Sequence, residues 1–444
     1  MLHRVTGDKD KVVTAVANAL KAFKDNNQVV QEKLQNAFPD AQEREQVRQQ
    51  LIGNLTEASA NASGEATDPA WFASRDQMAA LAQSAMNVRA GAGGQAAPQA
   101  LADGASAGLA LAPLEQFGTA DPGWIECVID GFRTRLHGKA TFVQHQNLND
   151  FLHPIDDQTT IAIVGDWGGH NDAAQRVAQQ IKAKNPKIVI HLGDIYYAGQ
   201  DNEADEFLKT WPMADGTGLI PAGTSYALNG NHEMFSGGDA YFRKVLPAFG
   251  QKASYFGLRN KSWQFLAFDS AYVEHRLLPP RDATGNNAPL LSQWNWLVDK
   301  VKNSPLQTIL LSHHEPISSF AQEHSDGEKL RSDFQAFLTA TGRPVFGWLF
   351  GHEHKCTIYN LTPELPVRAR LIGHGCIPHA APPANQQPDP GCSPFFLMNT
   401  AKNQHGDAVS GFALLTLDGA TIDIQYINED GSVFHNEKWA VPVT

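Results

Sequence analysis

Five stretches of the chain place metal-binding side chains directly after an apolar run: IAIVGDWGG at 161–169, IVIHLGDIYYAG at 188–199, ALNGNHE at 227–233, ILLSHHEP at 309–316 and GWLFGHEH at 347–354. They offer Asp166, Asp194, Asn231, His232, His313, His314, His352 and His354, with the phenols of Tyr196 and Tyr197 beside the second aspartate. Carboxylate, amide and imidazole donors suit manganese, iron or zinc rather than thiol-loving ions. The glycine next to each ligand lets the backbone turn tightly beside a metal. Any one stretch alone is ordinary, since Gly-Asp after a strand is commonly a turn and His-x-His commonly plain polar structure. All five together point to a binuclear metal site, because independent turns would otherwise have to supply two Asp, an Asn and several His at separate strand ends.

Ligands of this kind need strand ends to hold them. Residues 160–166 and 187–194 are short apolar runs ending in Gly-Asp, and residues 172–184 between them have helical spacing. That is a βαβ unit, which sets Asp166 and Asp194 at the carboxyl ends of neighbouring parallel strands, where α/β proteins build their sites. Further on the pattern predicts a helix at 203–211, a strand at 226–229 and a hairpin over 254–269 turning at Arg259-Asn260-Lys261. Helices at 291–301 and 328–338 each lead into a strand, at 308–312 and 345–350, and the chain ends in a meander turning at Asp418-Gly419 and Asp430-Gly431. The β segments outnumber what one sheet comfortably holds.

Upstream of this pattern the composition differs. Val13, Val16, Leu20 and Phe23, then Val30, Leu34 and Phe38, then Val47, Leu51 and Leu55 form one-sided apolar stripes of short helices, and Asp68-Pro69 starts another. Residues 91–113 are rich in Ala, Gly, Gln and Pro and read as a linker. Asp121-Pro122 opens a helix ending at Gly138. The expected organisation is a helical region at 1–90, the linker at 91–113, a connecting segment at 114–157 and a catalytic domain at 158–444. A net charge of -12 over 444 residues, with no block of Lys or Arg, argues against a nucleic-acid backbone or an anionic membrane as partner. An anionic substrate would have to be drawn in locally, by bound cations. No window approaches the roughly 20 apolar residues of a membrane span, and the N-terminus lacks the pattern of a secretory signal. The location expected by default is cytoplasmic, with secretion by another route left open. Cys376 and Cys392 bracket a Pro-rich loop and would pair only in an oxidising compartment.

The five motifs resemble those of the calcineurin-like metallophosphoesterases, GDxx, GDxx, GNH[ED], xxxH and GHxH, and within that superfamily those of the purple acid phosphatases, over residues 158–435. The resemblance implies an α/β (α+β) fold, a four-layer αββα sandwich, here with an N-terminal helical extension. Most members carry Asp-x-His in the first motif, whereas this chain has Asp166-Trp167-Gly168. In purple acid phosphatases a Tyr three residues after the second-motif Asp takes that coordination place, and here it is Tyr197. Alternation along an extended chain turns Tyr196 the other way, as a packing residue.

Carried over position by position, the resemblance gives the first ion Asp166, Asp194, Tyr197 and His354, and the second Asp194, Asn231, His352 and a histidine of the fourth motif. His313 is favoured over His314 because it follows the apolar run directly. The cofactors implied are two metal ions, iron plus a divalent ion (iron, zinc or manganese). His232 would contact the phosphate or protonate the leaving oxygen with Glu233 orienting it, and His324 lies where the family carries substrate-facing histidines. His170 and His374 are open between supporting and surface roles. The activity implied is hydrolysis of a small phosphate monoester by metal-activated water. A phosphodiesterase using the same core is the alternative, and a non-catalytic metal-dependent binding protein, using the N-terminal helices for an unidentified protein partner, is the alternative of another class.

Overall fold

The computed structural model describes parts of residues 20–52, and residues 138–442 apart from 197, 216, 274, 279–289, 378–380 and 404–405. The stripe ending at Leu55, the helices expected near 68 and 121, the linker at 91–113 and Tyr197 lie outside the described residues. The chain divides into two compact units, one of Met1–Lys139 with Phe235–Gly237, the other of Ala140–Met234 with Gly238–Thr444. In the first unit, helix Gln28–Ala37 buries Val30 and Leu34, and Phe23 is buried as well. The Arg48 guanidinium pairs with Glu45 and donates to the Phe23 carbonyl at 2.8 Å.

The second unit is built on two sheets with helices between their strands. The six-stranded sheet contains β2 (Gln158–Val164), β3 (Ile188–His191), β4 (Ser225–Ala227), β12 (Gly411–Asp418), β13 (Thr421–Asn428) and β14 (Val433–Ala440), in the order β14-β13-β12-β2-β3-β4. The eight-stranded sheet contains β1 (Leu152–Pro154), β5 (Phe256–Arg259), β6 (Trp263–Ala267), β7 (Gln307–Ser312), β8 (Gly347–Phe350), β9 (Cys356–Tyr359), β10 (Arg368–Ile372) and β11 (Phe395–Met398), in the order β1-β5-β6-β7-β8-β10-β9-β11. Strands β2, β3 and β4 run parallel, as do β6, β7 and β8. The C-terminal meander attaches antiparallel to β2, with Ala413 opposite Ile163. Mixed α/β architecture with two sheets and flanking helices is the fold expected from the sequence.

Side-chain alternation decides which face meets which layer. Ile309 and Leu311 of β7 join Ile161, Ile163 and Ile190 of the other sheet in the core between the sheets. Leu310, between them, faces the opposite way and packs with Trp296, Phe334 and Phe337 from helices Leu291–Lys302 and Glu328–Thr341. Helix Asp172–Lys184 starts where Asn171 caps it, accepting the Ala174 N–H at 2.9 Å, a contribution of about 1 kcal/mol. It stops at Asn185, whose left-handed φ of 48° breaks the helix.

A buried ion pair ties the two sheets together. Arg370 on β10 donates two 2.7 Å bonds to the carboxylate of Glu437 on β14, which also accepts from Tyr426 Oη at 2.7 Å and Trp439 Nε1 at 2.8 Å. Burial pushes the Glu437 pKa up, but the Arg370 bonds and charge outweigh it, and the net shift is downward. A depressed carboxyl contributes stability that is fully present above its unfolded pKa and lost as pH falls through its folded one. Glu437→Gln leaves Arg370 buried with half its partner, so it should destabilise the unit by about 3 kcal/mol in urea or thermal unfolding near neutrality. The difference from the parent should shrink as the pH is lowered below about 4.

Candidate metal centre

Each ligand stretch leaves the end of a parallel strand, three from the six-stranded sheet and two from the eight-stranded one. Asp166 follows β2, Asp194 follows β3 and Asn231 follows β4, while His313 follows β7 at once and His352 and His354 follow β8. The turns are stitched to one another: Asp166 N donates to Gly193 O at 3.1 Å, Gly351 N to His313 O at 2.9 Å, and His352 N to Asp166 Oδ2 at 2.9 Å. Asp166, Asp194 and His352 hold positive φ values of 59°, 75° and 71°. Left-handed backbone costs a non-glycine residue on the order of 1–3 kcal/mol and persists only where its surroundings enforce it.

The side chains converge on a buried knot. Asp166, Asp194, His313 and His354 have no exposed surface, and Asn231 is nearly buried. Donor atoms of Asp166, Asp194 and His354 lie within 4.8 Å of one another, as do those of Asp194, His313 and His352. The two groups share Asp194. His313 Nε2 is 2.9 Å from Asn231 Oδ1, 3.4 Å from Asp194 Oδ1 and 3.2 Å from His352 Nδ1, so His313 sits with the second group. His314 turns away, its Nδ1 against Ser270 Oγ at 3.1 Å.

The phenol of Tyr196 lies beside the centre. Its hydroxyl oxygen lies 3.0 Å from Asp166 Oδ1, 3.1 Å from Asp194 Oδ2 and 3.0 Å from His354 Nε2. This corrects the expectation that Tyr196 packs away from the ligands. The alternation behind that expectation presumes extended backbone, and Gly193 and Asp194, at φ of 113° and 75°, are not extended.

Burial pushes the Asp166 carboxyl up, yet the hydrogen bond with His354 and the surrounding imidazoles bring it down to about 2. Burial pushes His313 down to about 3, leaving a neutral ring with a lone pair to offer. His232 is buried, its ring against Tyr196 at a centroid distance of 4.4 Å and its Nε2 3.9 Å from Asp194 Oδ2. Glu233 has a task the sequence did not suggest: its Oε2 accepts the backbone N–H groups of Asp194 and Gly230, each at 3.1 Å, clamping the second and third turns together.

Other sequence-selected residues fall elsewhere. The His324 ring meets Ser318 O at 3.1 Å through Nδ1 and Glu364 at 3.3 Å through Nε2. His191 ends β3 and packs on Phe207 at 4.9 Å, as a strand residue should. His170 and His374 are depressed by burial, each to about 4. Cys376 and Cys392 are free thiols, which sets aside the pairing considered above. Cys376 instead backs the first turn, accepting from Gly169 N and donating to Asp166 O, both at 3.2 Å.

The family model for calcineurin-like phosphoesterases matches residues 159–356. Over these residues the chain is similar to the calcineurin-like phosphoesterases. Solved structures with a similar fold include GAP50 of Plasmodium, described as the anchor in its inner membrane complex, at 12% identity over 64% of this chain and 90% of that one, with a TM-score of 0.47. PhoD is similar at 14% identity over 64% of this chain and 70% of that one (TM-score 0.40), and the E. coli phosphoesterase Yfce at 11% over 63% and 98% (TM-score 0.26). No curated protein matches the chain. Among the described residues, no helix is long and apolar enough to cross a membrane.

Gly230 shows how little room these turns allow. A Cβ there would collide with Asp194 Oδ1 and come within 2.5 Å of Asp194 N. Gly230→Ala should therefore fold, by circular dichroism, yet lose most of its bound metal by elemental analysis, because relieving the clash moves the shared carboxylate.

Proposed function

We propose that this domain hydrolyses phosphate monoesters at a binuclear centre of the purple acid phosphatase type, holding iron and a divalent ion. The observation supporting this is the phenol oxygen within 3.1 Å of two carboxylates and an imidazole. The donors fit a cation: two wholly buried carboxylates converging on one point need a counter-charge. Phenolate is a hard anionic donor, suited to trivalent iron. The first ion would be held by Asp166, Asp194, Tyr196 and His354, the second by Asp194, Asn231, His313 and His352. Tyr197 is the phenol that family spacing selects; the reading proposed here gives that place to Tyr196, whose hydroxyl lies beside both carboxylates.

Bound in this set, two cations would polarise a phosphoryl oxygen and lower the pKa of a water so that hydroxide forms near neutral pH. In the hydrolysis the water oxygen bonds to phosphorus, the ester P–O bond breaks, and the leaving oxygen needs a proton. His232, held beside Asp194 and Tyr196, is the group proposed to donate it. Glu233 keeps the turns carrying Asp194 and Asn231 in register. His324 would have to release Glu364 to reach a substrate. The catalytic unit is proposed to be residues 158–444.

Side-by-side assays of mono- and diesters on metal-analysed protein test the reading. Turnover of monoesters that stops on chelation and returns with metal is expected; preference for diesters would make it a phosphodiesterase, and no turnover with both ions bound would make it a binding protein. In the iron form, a visible charge-transfer band should vanish in Tyr196→Phe and persist in Tyr197→Phe, with the reverse result returning the ligand role to Tyr197. Asp194→Asn should lose most of the bound metal and nearly all turnover. His232→Ala should lower kcat about 100-fold for alkyl phosphates and less for phosphates with good leaving groups, with His324→Ala milder on both.

A further inference from the structure

A second histidine cluster adjoins the centre. His275, His314 and His352 bring donor nitrogens within 4.8 Å of one another. The His275 and His314 rings lie 4.0 Å apart between centroids, those of His314 and His352 4.7 Å, and those of His275 and His352 5.8 Å. Two of the nitrogens, His275 Nδ1 and His314 Nε2, are buried without a hydrogen-bond partner. His314 is wholly buried, so its open nitrogen cannot turn to solvent.

The surrounding structure holds these rings in place. His275 has left-handed backbone, at φ of 54°. The turn just after it is fixed by buried Asp333 on helix Glu328–Thr341, which accepts from Arg276 Nε at 2.8 Å, Arg276 Nη2 at 3.0 Å, Leu277 N at 3.0 Å and Leu278 N at 2.9 Å. On the other side, Ser270 Oγ accepts the His314 backbone N–H at 3.0 Å and lies 3.1 Å from Nδ1. Handing the spare ring N–H to an oxygen is how metal-binding imidazoles are oriented, and it leaves Nε2 as the lone pair. Packing alone gives no reason to bring three imidazoles together with open nitrogens among them. A cation satisfies them, and three imidazoles with an open fourth position are a familiar zinc shell.

We propose that His275, His314 and His352 bind a further cation of the zinc class, next to the Asp194, His313 and His352 group and sharing His352 with it, the His352 ring releasing its N–H proton to solvent and bridging as an imidazolate when both ions are bound. Nitrogen donors without carboxylate favour zinc, copper or nickel over magnesium or calcium. Because His352 belongs to both groups, occupancy of one is coupled to affinity at the other, and the coupling acts equally in both directions. The carboxylates and the phenol belong to the main centre and not to this cluster, so removing His275 separates the two.

Zinc is the probe. The full chain, its His275→Asn and His314→Phe variants, and Asp194→Asn with and without His275→Asn are equilibrated with zinc, dialysed, and analysed for zinc per chain. Asparagine tolerates the left-handed backbone at 275, and phenylalanine fills the buried space at 314, so one variant decides if the other misfolds. His275→Asn and His314→Phe should each carry one zinc fewer than the parent, and Asp194→Asn should keep an ion that the double variant loses. A folded His275→Asn or His314→Phe chain with the parent's zinc content and titration curve would overturn the proposal.

Discussion

The structure depends on bringing two carboxylates, Asp166 and Asp194, to one water-free point. Neither has any exposed surface, and the phenol oxygen of Tyr196 lies within 3.1 Å of both. Removing ionised carboxylates from water is costly unless something of opposite charge meets them. The rest of the domain answers that cost: imidazoles from two more strand ends lower the Asp166 pKa, and backbone N–H groups of other turns reach the carboxylates, His352 N to Asp166 and His232 N to Asp194. The site is where two sheets present the carboxyl ends of their parallel strands to each other.

Holding that point requires backbone that the chain would not choose elsewhere. Asp166, Asp194 and His352 are left-handed, and glycines stand beside them where a Cβ would strike a neighbouring turn. The strain is sustained by connections that do not touch substrate. Glu233 clamps two turns, Cys376 backs a third, and Glu203 accepts the N–H groups of Ala198 and Gln200 at 3.0 and 2.8 Å just after the tyrosines. Farther out, the Arg370–Glu437 pair locks β10 to β14 and so holds one sheet against the other. Ligand geometry and stability are therefore the same property at different distances from the centre.

Much of this was legible in the residues. Short apolar runs marked β2, β3, β4, β7 and β8, and the Gly-Asp, Asn-His and His-x-His turns marked their carboxyl ends. The hairpin turning near Asn260 and the meander turning at Gly419 and Gly431 stand where turn chemistry put them. His313, which follows its strand directly, is the ring that meets Asn231. These features are local: they follow from backbone propensity and from the side of a strand on which a residue falls.

What the sequence by itself determined, then, was the inventory of donors and the strand ends that carry them. Tertiary structure alone brings the Tyr196 phenol to the carboxylates, because counting by twos fails once the chain passes through left-handed Gly193 and Asp194. It alone showed Glu233 as a clamp, Cys376 as a support beneath the first turn, and β12 paired with β2 across some 250 residues of chain. His275 lies in none of the five motif stretches. Its approach to His314 and His352 depends on Asp333, from a helix far along the chain, and no local rule encodes such a contact.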